Sequence, residues 1–103
     1  MNGRTERHRF AWNGILLEIS HNAQWLPPDI MGEDLAHIEV QSIAPMDAPL
    51  PITATGYRSH FIAASAIAAA GGPVAYVDVW LTAESDSPAW REREQSARQF
   101  SLL

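Results

Sequence analysis

Apolar and polar residues alternate most clearly around Asn13-Gly14. Phe10 and Trp12 precede the pair, and Ile15, Leu17 and Ile19 follow it. Asn-Gly is the preferred loop of a two-residue hairpin, because both turn positions need positive φ. A loop of that length sets Trp12 opposite Ile15, Phe10 opposite Leu17 and His8 opposite Ile19. Side chains on a strand alternate between faces, so Phe10, Trp12, Ile15, Leu17 and Ile19 share one apolar face. Arg9, Ala11, Leu16, Glu18 and Ser20 occupy the other.

Residues 21–34 read as a loop, since Pro27-Pro28 excludes helix there. Trp25 and Leu26 are expected to tuck under the sheet. Alternation resumes from Leu35 to Ile43, with Ala36, Ile38 and Val40 on one face and His37, Glu39 and Gln41 on the other. This predicts a third strand, antiparallel to the second. Pro45, Pro49 and Pro51 then mark an irregular stretch, and Ile52 to Thr55 reads as a short extended piece before a turn at Gly56.

The second half changes character. Ala63 to Ala70 is nearly all alanine, the strongest helix former, and Gly71-Gly72 supplies a C-cap. Pro73 suits the first position of a second helix. Val74, Val77 and Leu81 recur at helical spacing, although Val74, Val77 and Val79 leave a strand open. Ser87-Pro88 has the form of an N-cap followed by N1, opening a third helix over Trp90 to Gln99. Strands followed by helices predict an α+β fold: a small antiparallel sheet, made of the hairpin and a third strand, with two or three helices. A single domain spans 1–103, with residues 1–7 and 99–103 as tails.

Composition narrows the chemistry. The 103 residues contain no cysteine, and all seven basic residues are arginine. This excludes a disulfide framework, a thiolate metal site, Schiff-base chemistry and a P-loop lysine. The formal charge of −5 is uneven. Residues 21–57 carry Asp29, Glu33, Asp34, Glu39 and Asp47 and no basic residue, while the flanking segments nearly cancel. An acidic centre argues against nucleic-acid binding and suits either solubility or a basic partner. Arg4, Arg7, His8 and Arg9 are a thin basis for phosphate contact. No apolar run approaches the ~20 residues of a membrane span, and the polar start does not read as a secretory signal, so a cytoplasmic protein is expected.

No catalytic or cofactor motif is present, and neither a catalytic residue nor a cofactor is assigned. His37 and Glu39 share a strand face and could ligate a metal or pair as base and partner, but a solvated face is the plainer reading. Asp78 falls one residue off the Val74/Val77/Leu81 stripe and reads as a helix-boundary residue. The richest segment is Thr55 to Phe61, where Tyr57, Arg58 and His60 offer oriented donors. With Glu33, Asp34 and Glu39 they form the expected partner-binding surface. An architectural reading also fits: a turn at Gly56, packing by Tyr57 and Phe61, and carbonyl contacts from Arg58 and His60. A small enzyme built on Tyr57, Arg58 and His60 is a further alternative.

The run Pro49-Leu50-Pro51-Ile52-Thr53-Ala54-Thr55-Gly56-Tyr57-Arg58-Ser59-His60-Phe61, with Gly71 to Val77 and Trp80-Leu81, resembles a signature of small proteins of bacterial plasmids and other mobile elements. The resemblance implies a context in which small acidic proteins inhibit or regulate host nucleic-acid machinery, including anti-restriction and anti-CRISPR inhibitors. It implies a host protein or defence nuclease complex as partner. Separately, Gln99-Phe100-Ser101-Leu102-Leu103 resembles the bacterial sliding-clamp-binding pentapeptide, Gln-Leu-Ser/Asp-Leu-Phe. Gln99, Ser101 and Leu102 match, while Phe100 and Leu103 exchange the leucine and phenylalanine. That likeness implies the sliding clamp as partner, through apolar side chains in a groove and a glutamine fixing register. The alternative is that the tail packs on the domain itself.

Overall fold

A computed structural model describes residues 5–26 and 32–101, with side chains described up to residue 96. Strands β1 (Thr5–Trp12), β2 (Ile15–Leu26), β3 (Leu35–Ala44) and β4 (Tyr57–Ala63) form one antiparallel sheet in the order β1-β2-β3-β4. Helices α1 (Ala64–Ala70), α2 (Pro73–Glu84) and α3 (Pro88–Ser101) follow. The fold is α+β, as the order of patterns predicts.

The hairpin has the expected register, Trp12 opposite Ile15, Phe10 opposite Leu17 and His8 opposite Ile19. Asn13 and Gly14 both take positive φ, 51° and 79°. β3 pairs antiparallel with β2 through Ile19–Val40 and His21–Ile38. The inner face of this pair is fully apolar at its centre: Leu17, Ile19, Ile38 and Val40 are completely buried. Val77 and Leu81 of α2 close over them, with Ile67, Leu50 and Ile52 completing the core. Each such side chain contributes about 1.5–3 kcal/mol by leaving water, so this one layer carries most of the drive to fold.

The helices are punctuated as their sequence requires. Gly71 ends α1 in the left-handed conformation at φ 105°, and Pro73 opens α2 at its first turn. The valines do not make Val74–Ala83 a strand, because the Val77/Leu81 stripe has an apolar sheet to lie on. Ser87 Oγ accepts a bond of 3.1 Å from the Trp90 amide, the N-cap of α3. Trp90 is buried and packs on Trp12, with ring centroids 6.2 Å apart. Asn13 Nδ2 donates to Glu94 at 2.9 Å, tying α3 to the hairpin turn.

Five expectations need correction. Residues 21–26 are not loop but the continuation of β2, since backbone pairing runs through His21–Ile38, Asn22–His37 and Leu26–Leu35. Trp25 does not tuck under the sheet; it is 43% exposed. Thr5 to Arg7 are not a tail, being paired with Asn22, His21 and Ser20. Tyr57 to Ala63 form a fourth strand, where a turn with packed side chains is the sequence reading. The Ile52–Thr55 piece reduces to a single bridge between Leu50 and Thr53.

Gly56 sets the approach to β4. Its φ is +80°, and a Cβ there would lie 2.6 Å from the carbonyl carbon of Asp47 and 2.7 Å from its Cα. The Gly56 carbonyl accepts from the Ser42 amide at 2.8 Å. Gly14 has nearly the same φ, +79°, but open space around it. Gly14→Ala therefore should cost about 1–2 kcal/mol of unfolding free energy, the strain of the left-handed backbone alone. Gly56→Ala adds a collision with main chain and should cost about 3 kcal/mol or more. Urea unfolding of both variants checks this, and equal losses would contradict the close approach.

Candidate functional site

The sheet has two unlike faces. The inner one is covered by helices, and the outer one carries Arg7, Arg9, Glu18, Ser20, His37, Glu39, Gln41, Tyr57, Ser59 and Phe61. Cross-strand rows set Arg9, Glu18, Gln41 and Tyr57 side by side, then Arg7, Ser20, Glu39 and Ser59, then Asn22, His37 and Phe61.

This face is knit by short polar contacts. The Arg9 guanidinium donates to Glu18 at 3.2 Å. Tyr57 donates its hydroxyl to Glu39 Oε2. That bond, then burial, holds the Tyr57 phenol above its ordinary pKa. His37 Nε2 and Ser59 Oγ share a hydrogen bond of 2.7 Å. His37 and Glu39 thus share a face as expected, but each already has a neighbour on β4. Among the described residues, no three His, Asp or Glu side chains stand where they could hold a metal.

At one end of the outer face three rings come together. The His37 imidazole is stacked on Phe61, centroids 4.5 Å apart at 23°, and the Trp25 ring lies 4.6 Å from His37, tilted by 45°. Trp25 and Phe61 are 6.2 Å apart. Between Asn22 and Leu26 the register of β2 slips against β3. Gln24 N donates to Asn22 Oδ1 at 2.9 Å within the slip. Bulges re-aim side chains, and this one sets Trp25 over His37. Trp25 and Phe61 are 43% and 49% exposed, so with His37 they form a patch rather than isolated surface residues.

The expected cluster of Tyr57, Arg58 and His60 does not converge. These residues alternate along β4, with Tyr57 outward and Arg58 and His60 toward the helices. Arg58 Nη1 donates to the Ile52 carbonyl at 2.9 Å, and its guanidinium lies 5.4 Å from the Trp80 ring centroid. His60 packs against Trp80 at 4.5 Å, and its Nε2 is 3.3 Å from the Tyr76 hydroxyl. Burial, reinforced by the Arg58 charge, pushes the His60 pKa below its ordinary value, and burial raises that of Tyr76. Arg58 and His60 therefore fasten β4 to α2, the architectural reading of this segment. Two open depressions beside Trp90, of about 280 and 480 Å³, include none of the three residues.

The acidic residues divide similarly. Glu39 belongs to the outer face. Glu33 accepts from Ser65 Oγ at 2.8 Å, and the Asp34 carbonyl accepts from the Ala64 amide at 3.0 Å, at the sheet end that holds the aromatic rings. Asp78 is exposed on α2. For the tail motif, Gln99, Phe100 and Ser101 have helical backbone in α3, while their side chains, and Leu102 and Leu103 altogether, lie outside the described residues.

Sequence reasoning passed over two groupings. One is Trp25/His37/Phe61; its signal was alternation continuing past Ser20, broken by one irregularity. The other is Glu6, set directly across from the buried His21. The Glu6 carboxylate is 3.5 Å from both His8 Nε2 and His21 Nδ1. The His8 imidazole, and then that of His21, hold its carboxyl below the ordinary carboxylate range.

Fold and surface together define a small α+β domain with one closed and one open, aromatic-bearing sheet face. Residues 5–90 match the family model of the KlcB third domain, and the chain belongs to that family. The family is plasmid-associated, and membership carries no reaction or ligand with it. No curated protein and no solved structure matches the chain. No single helix among the described residues is long and apolar enough to cross a membrane.

The lowered pKa of His60 has a measurable consequence. A group that resists protonation when folded takes up protons more readily when unfolded, so stability is lost as pH falls through the unfolded histidine range, near ~6.5. Urea unfolding at pH 7.5, 6 and 5 should show falling stability, with a shallower fall in His60→Gln. An identical pH slope in the variant would contradict the placement of His60 against Arg58 and Trp80.

Proposed function

We propose that this domain is a non-catalytic interaction module of a mobile-element protein, which binds a host protein through the outer sheet face. The observation that carries the reading is the Trp25/His37/Phe61 ring cluster on the sheet face away from the core and its helices, among the described residues. Aromatic groups exposed together are characteristic of binding surfaces, since rigid rings supply contact area at little cost in side-chain entropy. The plasmid association of the family supports a host target in nucleic-acid machinery, with restriction, CRISPR or replication complexes as the chemical context. The action would be occlusion: covering a surface the target needs, with rim charges steering approach. An enzymatic reading gains nothing from Tyr57, Arg58 and His60, which face opposite ways.

Affinity capture from a bacterial host lysate, with quantitative mass spectrometry, tests this. The tagged chain should retain a stoichiometric host protein. Trp25→Ala combined with Phe61→Ala should abolish retention with the thermal midpoint little changed, because both residues lie outside the core. Val79→Ala, on the exposed side of α2, should retain the partner. Retention unaffected by the outer-face changes, or no stoichiometric partner at any salt concentration, would overturn the reading.

A further inference from the structure

The outer face is polarised in charge as well as in shape. Among the described residues its arginines are Arg7 and Arg9, both on β1, the edge strand farthest from β4. Arg9 is paired with Glu18. Strands lie ~4.8 Å apart, so Arg7 is roughly 10 Å from the β3 backbone and roughly 14 Å from β4. Toward the opposite edge lie the aromatic cluster and, as the only charged outward side chain among the described residues of β3 and β4, the Glu39 carboxylate. Glu39 lies two positions along β3 from His37, on the same face and within ~7 Å of backbone. Glu33 and Asp34 lead into β3 at the end where Leu35 meets Ala63. The segment from residue 21 to 57 contains five acids and no base.

Rings flanked by carboxylates make a site for a cation. An aromatic face attracts a cation through its quadrupole, and adjacent carboxylates add Coulomb attraction and hydrogen-bond acceptors. Arginine satisfies both, because its planar guanidinium stacks on rings while its edge forks to a carboxylate. The ring half of that contact already occurs on the inner face, where Arg58 lies over Trp80 and donates to the Ile52 carbonyl. Nucleic acid fits poorly: its phosphates would meet Glu33, Asp34 and Glu39 beside the rings.

We propose that the occupant of the Trp25/His37/Phe61 surface is an arginine-bearing basic segment of the partner protein, its guanidinium stacked on the rings and paired with Glu39. This rests on the interaction reading above and specifies the partner's chemistry.

The test uses the full chain and fluorescein-labelled 15-residue peptides of alternating Ser-Arg, Ser-Lys or Ser-Glu, with oligothymidine as a fourth probe, read by anisotropy. The Ser-Arg peptide should bind saturably and more tightly than Ser-Lys, while Ser-Glu and oligothymidine should not bind. Trp25→Ala and Glu39→Gln should each weaken binding about three- to tenfold, within the range of single cation–π and charge-assisted contacts. Glu84→Gln, an acid on α2 away from this face, should leave it unchanged. Binding of oligothymidine or Ser-Glu in preference, or equal weakening by Glu84→Gln and Glu39→Gln, would overturn the proposal. If no peptide binds yet Trp25→Ala still abolishes host-protein capture, the basic occupant is wrong and the interaction reading stands. If capture too is indifferent to Trp25→Ala, both fall.

Discussion

Leu17, Ile19, Ile38 and Val40 leave water together because Val77 and Leu81 of α2 lie across them. A four-stranded sheet has two faces, and a domain of this length has helices enough to cover one. The register follows from that constraint. A slip of one residue would carry the whole apolar set to the solvent side, so the Asn13-Gly14 turn and the buried stripe enforce each other. The remaining devices serve the same closure: Gly56 passing close over Asp47, Ser87 capping α3, and Arg58 and His60 fastening the edge strand to α2.

What the helices leave uncovered is then free to diverge in chemistry. Along most of its area the outer face is an ordinary solvated surface of paired charges and hydroxyls, as with Arg9 and Glu18 or Tyr57 and Glu39. The end near Trp25 departs from that pattern, with Trp25, His37 and Phe61 outside and His21 and His60 turned inward. His21 is buried beside Glu6, and His60 is half-buried beside Tyr76 and Trp80. Apolar-out and polar-in is the reverse of what stability alone selects, and such reversals concentrate where a protein makes contact with something else.

The same reversal explains which parts of the fold were legible in the sequence. The hairpin and β3 could be read because turn chemistry and alternation agreed at Asn13-Gly14 and across Ala36, Ile38 and Val40. The helix boundaries could be read because Gly71, Pro73, Ser87 and Pro88 act locally. β4 was obscured because its inward positions are Arg58 and His60 and its outward ones Tyr57 and Phe61, an alternation with the wrong sign for a core strand. The far end of β2 was hidden by the same inversion, His21 in and Trp25 out, and by the register slip after Asn22. Of the candidate site, Tyr57 and Glu39 stand together on the outer face, while Arg58 and His60, expected beside them, point toward the helices and hold β4 to α2. Strand parity divides them, and it could not be applied until the strand itself was recognised.

In the proposed mode of action the aromatic end of the outer sheet face binds the partner and the helical side is scaffold. A two-dimensional amide and indole NMR titration of the isotope-labelled chain with the Ser-Arg peptide tests it most directly. Shifts should be confined to the Trp25 indole and the amides of His37, Glu39, Ser59 and Phe61, with Val77, Leu81 and the Trp80 indole unmoved. Shifts centred on α2 or α3, with Trp25 and Phe61 silent, would contradict it.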